Sequence, residues 1–364
     1  MEKDPFEEYL REKEPDQAER GYAWSIAIGL QAVDGLKPSQ YLVDTAIQNI
    51  KGEITIKEAQ NLIETYYNEK PFHKPNDNRA EEADKVSSRI VEILSEKAFS
   101  FSPNEYIAIH RRLFQGIYDH AEKIRDYNIT KKEWVLDGDT VTYGNALELR
   151  NTLEYDFAQE KAFSYKGLTI DEVIHHLALF VSNLWQIHIF GEGNTRTTAV
   201  FFIKYLRTLG FSTANDIFAK HAWYFRNALV RANYTNLHKG ITETTEYLEQ
   251  FSKNLLLGEH YELHNRHLHI SGIFKQDAEE IQEVTHEIEP SILDRCNNFS
   301  TKTEMYVRRL FDQFVFDQVF GRSAVMEVLD IKTSAASNLI SKLYGADIIE
   351  RVSGHGKGKY KFKR

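Results

Sequence analysis

Apolar residues recur at three- and four-residue intervals through most of the chain, the period of a helix with one buried face. Val173, Ile174, Leu177, Phe180, Val181 and Leu184 form one such stripe. They predict a helix over 171–186, and a second over 195–209 that Gly210 closes. Proline positions agree. None falls between Pro103 and Pro290, and proline disrupts helix interiors. The chain therefore reads as mainly α, with a central helical domain at 86–258. Residues 17–69 carry the same pattern, with a turn at 34–38. Segment 70–80 joins two prolines to Asn and Asp and reads as a linker. Residues 134–143 break the helical period. β-Branched and aromatic residues flank Asp137-Gly138 there, which predicts a short β-hairpin. Segment 254–295, rich in His and Glu, leads into a C-terminal stretch. That stretch reads as helices at 307–320, 321–329 and 332–344. Strands at 348–351 and 360–363 follow, around a Gly-rich tip at 353–358.

A length of 364 residues accommodates two or three domains. The hydrophobic fraction of 42% and aromatic fraction of 12% exclude a disordered chain. A net charge of −9 disfavours a protein that coats nucleic acid along its length. Residues 296–364 depart from that average, with twelve basic against seven acidic residues, a net +5. The single cysteine, Cys296, excludes an internal disulfide and a cysteine-based zinc cluster, and fits a reducing compartment. Residues 1–20 hold eight acids and four bases and no apolar core, so no signal peptide is expected. Apolar windows such as 198–206 fall short of the ~20 residues of a membrane span. The expectation is a soluble cytoplasmic protein that does not contact membrane.

Residues 188–199 carry the candidate chemistry: His-Ile-Phe-Gly-Glu-Gly-Asn-Thr-Arg-Thr-Thr-Ala between two helices. Gly191 and Gly193 let a ligand approach the backbone closely. The N–H groups that open the second helix form an anion site, and Arg196 adds a planar cation suited to phosphate. Glu192 is a hard oxygen ligand of the type that holds Mg²⁺ on phosphates. His188 is placed to act as a base near neutral pH.

This stretch resembles the signature of the Fic family, H-P-F-x-[D/E]-G-N-G-R-x-x-R. The resemblance covers roughly residues 86–258 and implies a protein AMP transferase, which moves AMP from ATP to a hydroxyl of a target protein. Carried over, it implies His188 as the base that deprotonates the hydroxyl and Glu192 as the Mg²⁺ ligand. Gly191, Gly193, Asn194, Thr195 and Arg196 would bind the nucleotide, and Phe190 would anchor the loop. Trp134, Val135 and Leu136 would belong to a flap that pairs with target backbone. Tyr224 and Asn227 are candidates for the base pocket. The sequence departs from the signature at Ile189, Thr195 and Ala199, the last standing where a second Arg contacts the γ-phosphate. A branch of the family typified by the Doc toxin transfers a phosphoryl group instead, so phosphoryl transfer is an alternative.

Fic enzymes are commonly held off by a helix with [S/T]-x-x-x-E-[G/N], whose Glu pairs with that second Arg. Residues 30–35 are Leu-Gln-Ala-Val-Asp-Gly, and 1–70 resembles a built-in version of the small antitoxin partners of Fic toxins. Asp34 and Gly35 are the regulatory candidates, with Asp34 expected to face position 199. A match at 45–49 has Gln48 where Glu is needed and is weaker. The C-terminal pattern at 296–364 resembles a winged helix-turn-helix, which makes DNA a candidate partner. A homodimer is a candidate assembly. A nucleotide-sensing DNA-binding regulator is the alternative function from another class.

Overall fold

The structure, a computed structural model, describes residues 15–69, 77–213, 216–271, 295, 299–314, 316, 318–329, 331–352 and 358–363. Local side chains set many of the helix starts. Ser39 caps α2 (Gln40–Lys51) by accepting from Leu42 N–H, and Thr55 with Glu58 forms a capping box on α3 (Ile56–Asn68). Ser102 and Pro103 open α5 (Pro103–Phe114), and Thr169 with Glu172 boxes α7 (Ile170–Ile187). The other helices of this part are α1 (Pro15–Gly29), α4 (Asp77–Ser95), α6 (Leu149–Ala162), α8 (Asn194–Thr208), α9 (Ile217–Arg231), α10 (Glu246–Leu257) and the short α11 (Asn265–Leu268). The mainly helical expectation is met. Helix α4 begins at Asp77, so 77–80 is helix and not linker.

One apolar cluster runs from Ala23 to Leu268. Helix α1 packs on α4 and α9. A 3-10 turn, Leu30–Asp34, follows α1 and lies against α8 and α9. The N-terminal helices thus share a core with the helices that carry the motif.

Residues 134–143 do not form a hairpin. Trp134–Leu136 is a 3-10 turn. Val135 and Leu136 are consecutive and both buried, which the alternation of a half-buried strand cannot provide. The cause is Glu133. Its N–H donates to Asp139 O and its C=O accepts from Gly138 N–H, so the loop closes around one residue. Its buried carboxylate is held by Arg226 and by the Tyr143 hydroxyl.

A second apolar cluster runs from Val307 to Phe362. It gathers α12 (Thr301–Phe314), β1 (Phe320–Gly321), α13 (Arg322–Leu329), α14 (Thr333–Gly345), β2 (Ile349–Arg351) and β3 (Lys359–Phe362). The strands form an antiparallel sheet in the order β1-β3-β2, with Phe320 opposite Tyr360 and Ile349 opposite Phe362. The helix expected over 307–320 stops at Phe314. Phe320 turns back to stack on Phe314 at 4.7 Å, which buries it and frees the backbone for β1. Residues 353–357 of the expected wing tip, and 272–294, lie outside the described residues.

Candidate active site

Helix α7 ends at His188, whose φ of 49° and ψ of 53° turn the chain out of the helix. One side chain fixes this turn. Arg125, buried, donates from Nε to His188 O (2.7 Å), from Nη1 to Tyr127 O (2.6 Å) and from Nη2 to Gly144 O (2.5 Å) and Ile187 O (3.3 Å). The His188 ring is 3% exposed, against Tyr143 at 4.4 Å and edge-on to Trp185 at 5.4 Å. Neither ring nitrogen has a hydrogen-bond partner among the described residues. Burial, with the nearby charges of Lys131 and Arg125, pushes its pKa well below the ordinary value. The imidazole is therefore neutral at pH 7 and has a lone pair to offer.

The loop after His188 is clamped from inside. Ile189 and Phe190 are fully buried. The Asn194 side chain accepts from Phe190 N–H (3.0 Å) and donates to Phe190 O (2.7 Å). Phe190 stacks on His110 at 3.6 Å and 11°. His110 Nδ1 accepts from Glu122 N–H, which leaves Nε2–H to donate to Glu192 O at 3.0 Å. Burial pushes the His110 pKa down to about 3, so this tautomer persists. Gly193 has a φ of 75°, and a Cβ there would sit 2.4 Å from the Phe114 ring. A Cβ on Gly191 would sit 2.8 Å from the Tyr127 hydroxyl and 3.2 Å from His120 Nε2. Gly193 requires glycine, since its φ is left-handed and the ring a Cβ would meet is buried, whereas at Gly191 a Cβ would meet only the ends of the Tyr127 and His120 side chains.

The outcome for each expected residue is specific. Glu192 projects outward and its carboxylate lies 3.3 Å from Lys131 Nζ. Among the described residues no group of three or more His, Cys, Asp or Glu could hold a metal. Glu192 alone fits the way Mg²⁺ is bound, by one carboxylate together with substrate phosphates. The side chains of Asn194 and Thr195 are already engaged, Thr195 by accepting from Trp185 Nε1 (3.0 Å). Their backbone N–H groups open α8 and remain the donors a phosphate would meet. Ala199 is fully buried. Tyr224 and Asn227 are buried on α9, Asn227 Nδ2 donating to Asn265 Oδ1 at 2.7 Å.

The expected partner of Asp34 is corrected. Its carboxylate pairs with Arg196 Nε at 2.8 Å, the first motif arginine, rather than facing position 199. Arg196 also donates to Gln31 Oε1 (3.0 Å), Glu82 Oε1 (2.6 Å) and the Tyr118 hydroxyl (3.0 Å). It lies over the Phe114 ring at 4.8 Å and is 1% exposed. Gly35 ends the 3-10 turn with a φ of 65°, and Arg79 holds the carbonyls of Asp34 and Gly35. Asp34, Gln31, Glu82 and Tyr118 thus all hold the cation that was expected to meet phosphate.

Sequence reading missed Arg125, His110, Glu82 and Gln31. Gln31 had a signal, since it stands three residues before Asp34 and one helical turn places both on one face. The others lie 60 or more positions from the motif residues they hold, and nothing local marks them.

Residues 100–206 match the sequence model of the Fic/DOC family. Among solved structures, one that matches is a Fic family protein from Desulfovibrio desulfuricans G20. It is 11% identical, with a TM-score of 0.42, over 94% of this chain and 87% of that one. No curated protein matches this chain.

Proposed function

We propose that the Fic/DOC domain at residues 100–206 serves nucleotidyl transfer, moving AMP from ATP to a hydroxyl of a target protein. The observation that carries this reading is His188: buried, neutral and unpartnered at both nitrogens, beside the N-terminus of α8. A hydroxyl seated there gives its proton to the imidazole as its oxygen bonds to the α-phosphorus. The bond from that phosphorus to the bridging oxygen breaks and pyrophosphate leaves. Glu192 is the residue that would hold Mg²⁺, which neutralises phosphate charge when bound. Lys131 is placed to follow Glu192 onto the same charge.

The ion pairs on Arg196 support a resting state in which the triphosphate lacks its arginine. In this reading Asp34, Gln31 and Glu82 regulate the site from 1–70 and from α4, across the units 1–70 and 86–258. Phosphoryl transfer would use the same base with the γ-phosphorus in line, so the mass of the adduct separates the two. Protein incubated with Mg²⁺ and ATP labelled at the α- or the γ-phosphate should acquire α-label. His188→Ala should lose ~10²–10⁴-fold of that rate. Because the His188 pKa is depressed, transfer should stay flat between about pH 6 and 8, without the decline near 6.5 of an ordinary histidine.

A second reading concerns 296–364, as a winged helix-turn-helix that contacts DNA. It is favoured by the order helix, strand, two helices and two strands, and by α14. That helix leaves Thr333, Ser334, Asn338 and Lys342 exposed while Ala336, Leu339, Ile340 and Leu343 are buried. A gel shift of the full chain on duplex DNA, weakening as salt rises, would support it. No shift at low salt would sink it.

A further inference from the structure

Position 199 leaves a bound triphosphate short of a cation. Ala199 is fully buried and stands where the family signature carries its second arginine. Beside the motif loop there is another polar group that the chain leaves unused. His120 Nε2 is buried and has no hydrogen-bond partner among the described residues. It faces the loop. A Cβ on Gly191 would sit 3.2 Å from this nitrogen and 2.8 Å from the Tyr127 hydroxyl. Glycine leaves that space open, and the half-exposed Tyr127 bounds it. Buried polar atoms are almost always paired in folded chains, so an orphan at a motif loop calls for a ligand.

The imidazole is held in place. It lies parallel to the Tyr118 ring, at 5.2 Å and 2°. The Tyr118 hydroxyl accepts from Arg196 Nη2 at 3.0 Å and donates to Glu82 Oε1 at 2.7 Å. His120 is therefore one aromatic layer away from the cation expected to meet phosphate. Glu192, the residue expected to hold Mg²⁺, follows Gly191 directly. We propose that His120 is a phosphate-binding residue of this site. Its Nε2–H donates to an oxygen of the β–γ end of ATP, in the role that the missing arginine leaves open. Phosphate oxygens accept, so they select the imidazole form with a proton on Nε2. The neighbours determine which end of ATP is met. Transfer of AMP requires the α-phosphorus in line beside His188. His120 is instead coupled, through Tyr118, to Arg196 on the first turn of α8. The proposal rests on the nucleotidyl-transfer reading for the identity of the triphosphate, but binding needs no transfer.

The test uses the full chain with Asp34→Ala, which takes one carboxylate off Arg196. Mg-ATP, Mg-pyrophosphate and AMP are titrated into it calorimetrically. His120→Phe keeps an aromatic ring against Tyr118 and removes the donor. Added to Asp34→Ala, it should weaken Mg-ATP and Mg-pyrophosphate by about tenfold, the scale of one hydrogen bond to a charged group. AMP affinity should not change. His120→Gln, whose amide N–H replaces Nε2–H, should restore most of the loss. Equal Mg-pyrophosphate affinity with and without His120→Phe would overturn the proposal. So would an equal loss for AMP, which marks a purely structural role. If His120→Phe does not fold, NMR of the histidine ring nitrogens in the Asp34→Ala protein serves. The Nε2 resonance that His120→Gln deletes should shift with Mg-pyrophosphate and stay in place with AMP, and an unmoved resonance overturns the proposal. No Mg-ATP binding by the Asp34→Ala chain would overturn both readings. Transfer of γ-label to a target, with the dependence on His120 intact, would sink nucleotidyl transfer alone and leave the phosphate contact standing.

Discussion

His110 and Arg196 show how far the site depends on residues outside its motif. His110 holds the carbonyl of Glu192 while its ring supports Phe190. Its folded pKa of about 3 lies below the unfolded value of about 6.5. Between those values the unfolded chain binds the extra proton, so stability falls as pH falls through that window. His110→Phe should flatten this acid slope by about 1.4 kcal/mol per pH unit, measured by urea unfolding at several pH values. At Arg196 the prediction follows from the ion pair. Asp34→Ala should raise nucleotide affinity by about tenfold, a typical coupling between sites, checked by titration with Mg-ATP. Because Asp34 is partly exposed and Glu82 remains paired to Arg196, the stability cost should be only about 1 kcal/mol. An unchanged affinity would mean that Arg196 is not the phosphate contact.

At the scale of elements, the helical stripes and the turn at 34–38 were legible, and the loop at 134–143 was not. The stripe from Val173 to Leu184 is the buried face of α7, and in the structure Thr169 and Glu172 box its start. Thr169→Ala should remove that box and lower stability by about 1 kcal/mol, seen as a fall in Tm. The 134–143 segment misled because Asp137 and Gly138 do take the left-handed conformations of a tight turn. The burial of Glu133 by Arg226 and Tyr143 then prevents strands from extending. That is a contact over 93 positions, invisible to any local pattern. The start of β1 was hidden for a similar reason, since Phe320 continues an apolar helical stripe until the sheet claims it. The partner of Asp34 was missed because a motif spacing specifies an alignment, and the ion pair depends on where α8 presents its first turn.

At the scale of the molecule, the motif is held by chain far from it in sequence. The N-terminal helices supply Gln31 and Asp34, which hold Arg196. Trp24, Ile26, Ala27 and Leu30 are all buried in the apolar cluster that also contains Phe190 and Phe201. Deleting 17–69 to release the site should therefore unfold the protein, seen as loss of a cooperative thermal transition. Point substitution is the sound way to open it. The central claim is that His188 drives transfer of AMP once Arg196 is free. The most direct test is intact-protein mass spectrometry of Asp34→Ala, and of Asp34→Ala with His188→Ala, after incubation with Mg-ATP and a hydroxyl-bearing target. The account predicts an adduct of the mass of AMP on the target with the first variant and none with the second. An adduct of the mass of a phosphoryl group, or equal labelling by both variants, would contradict it.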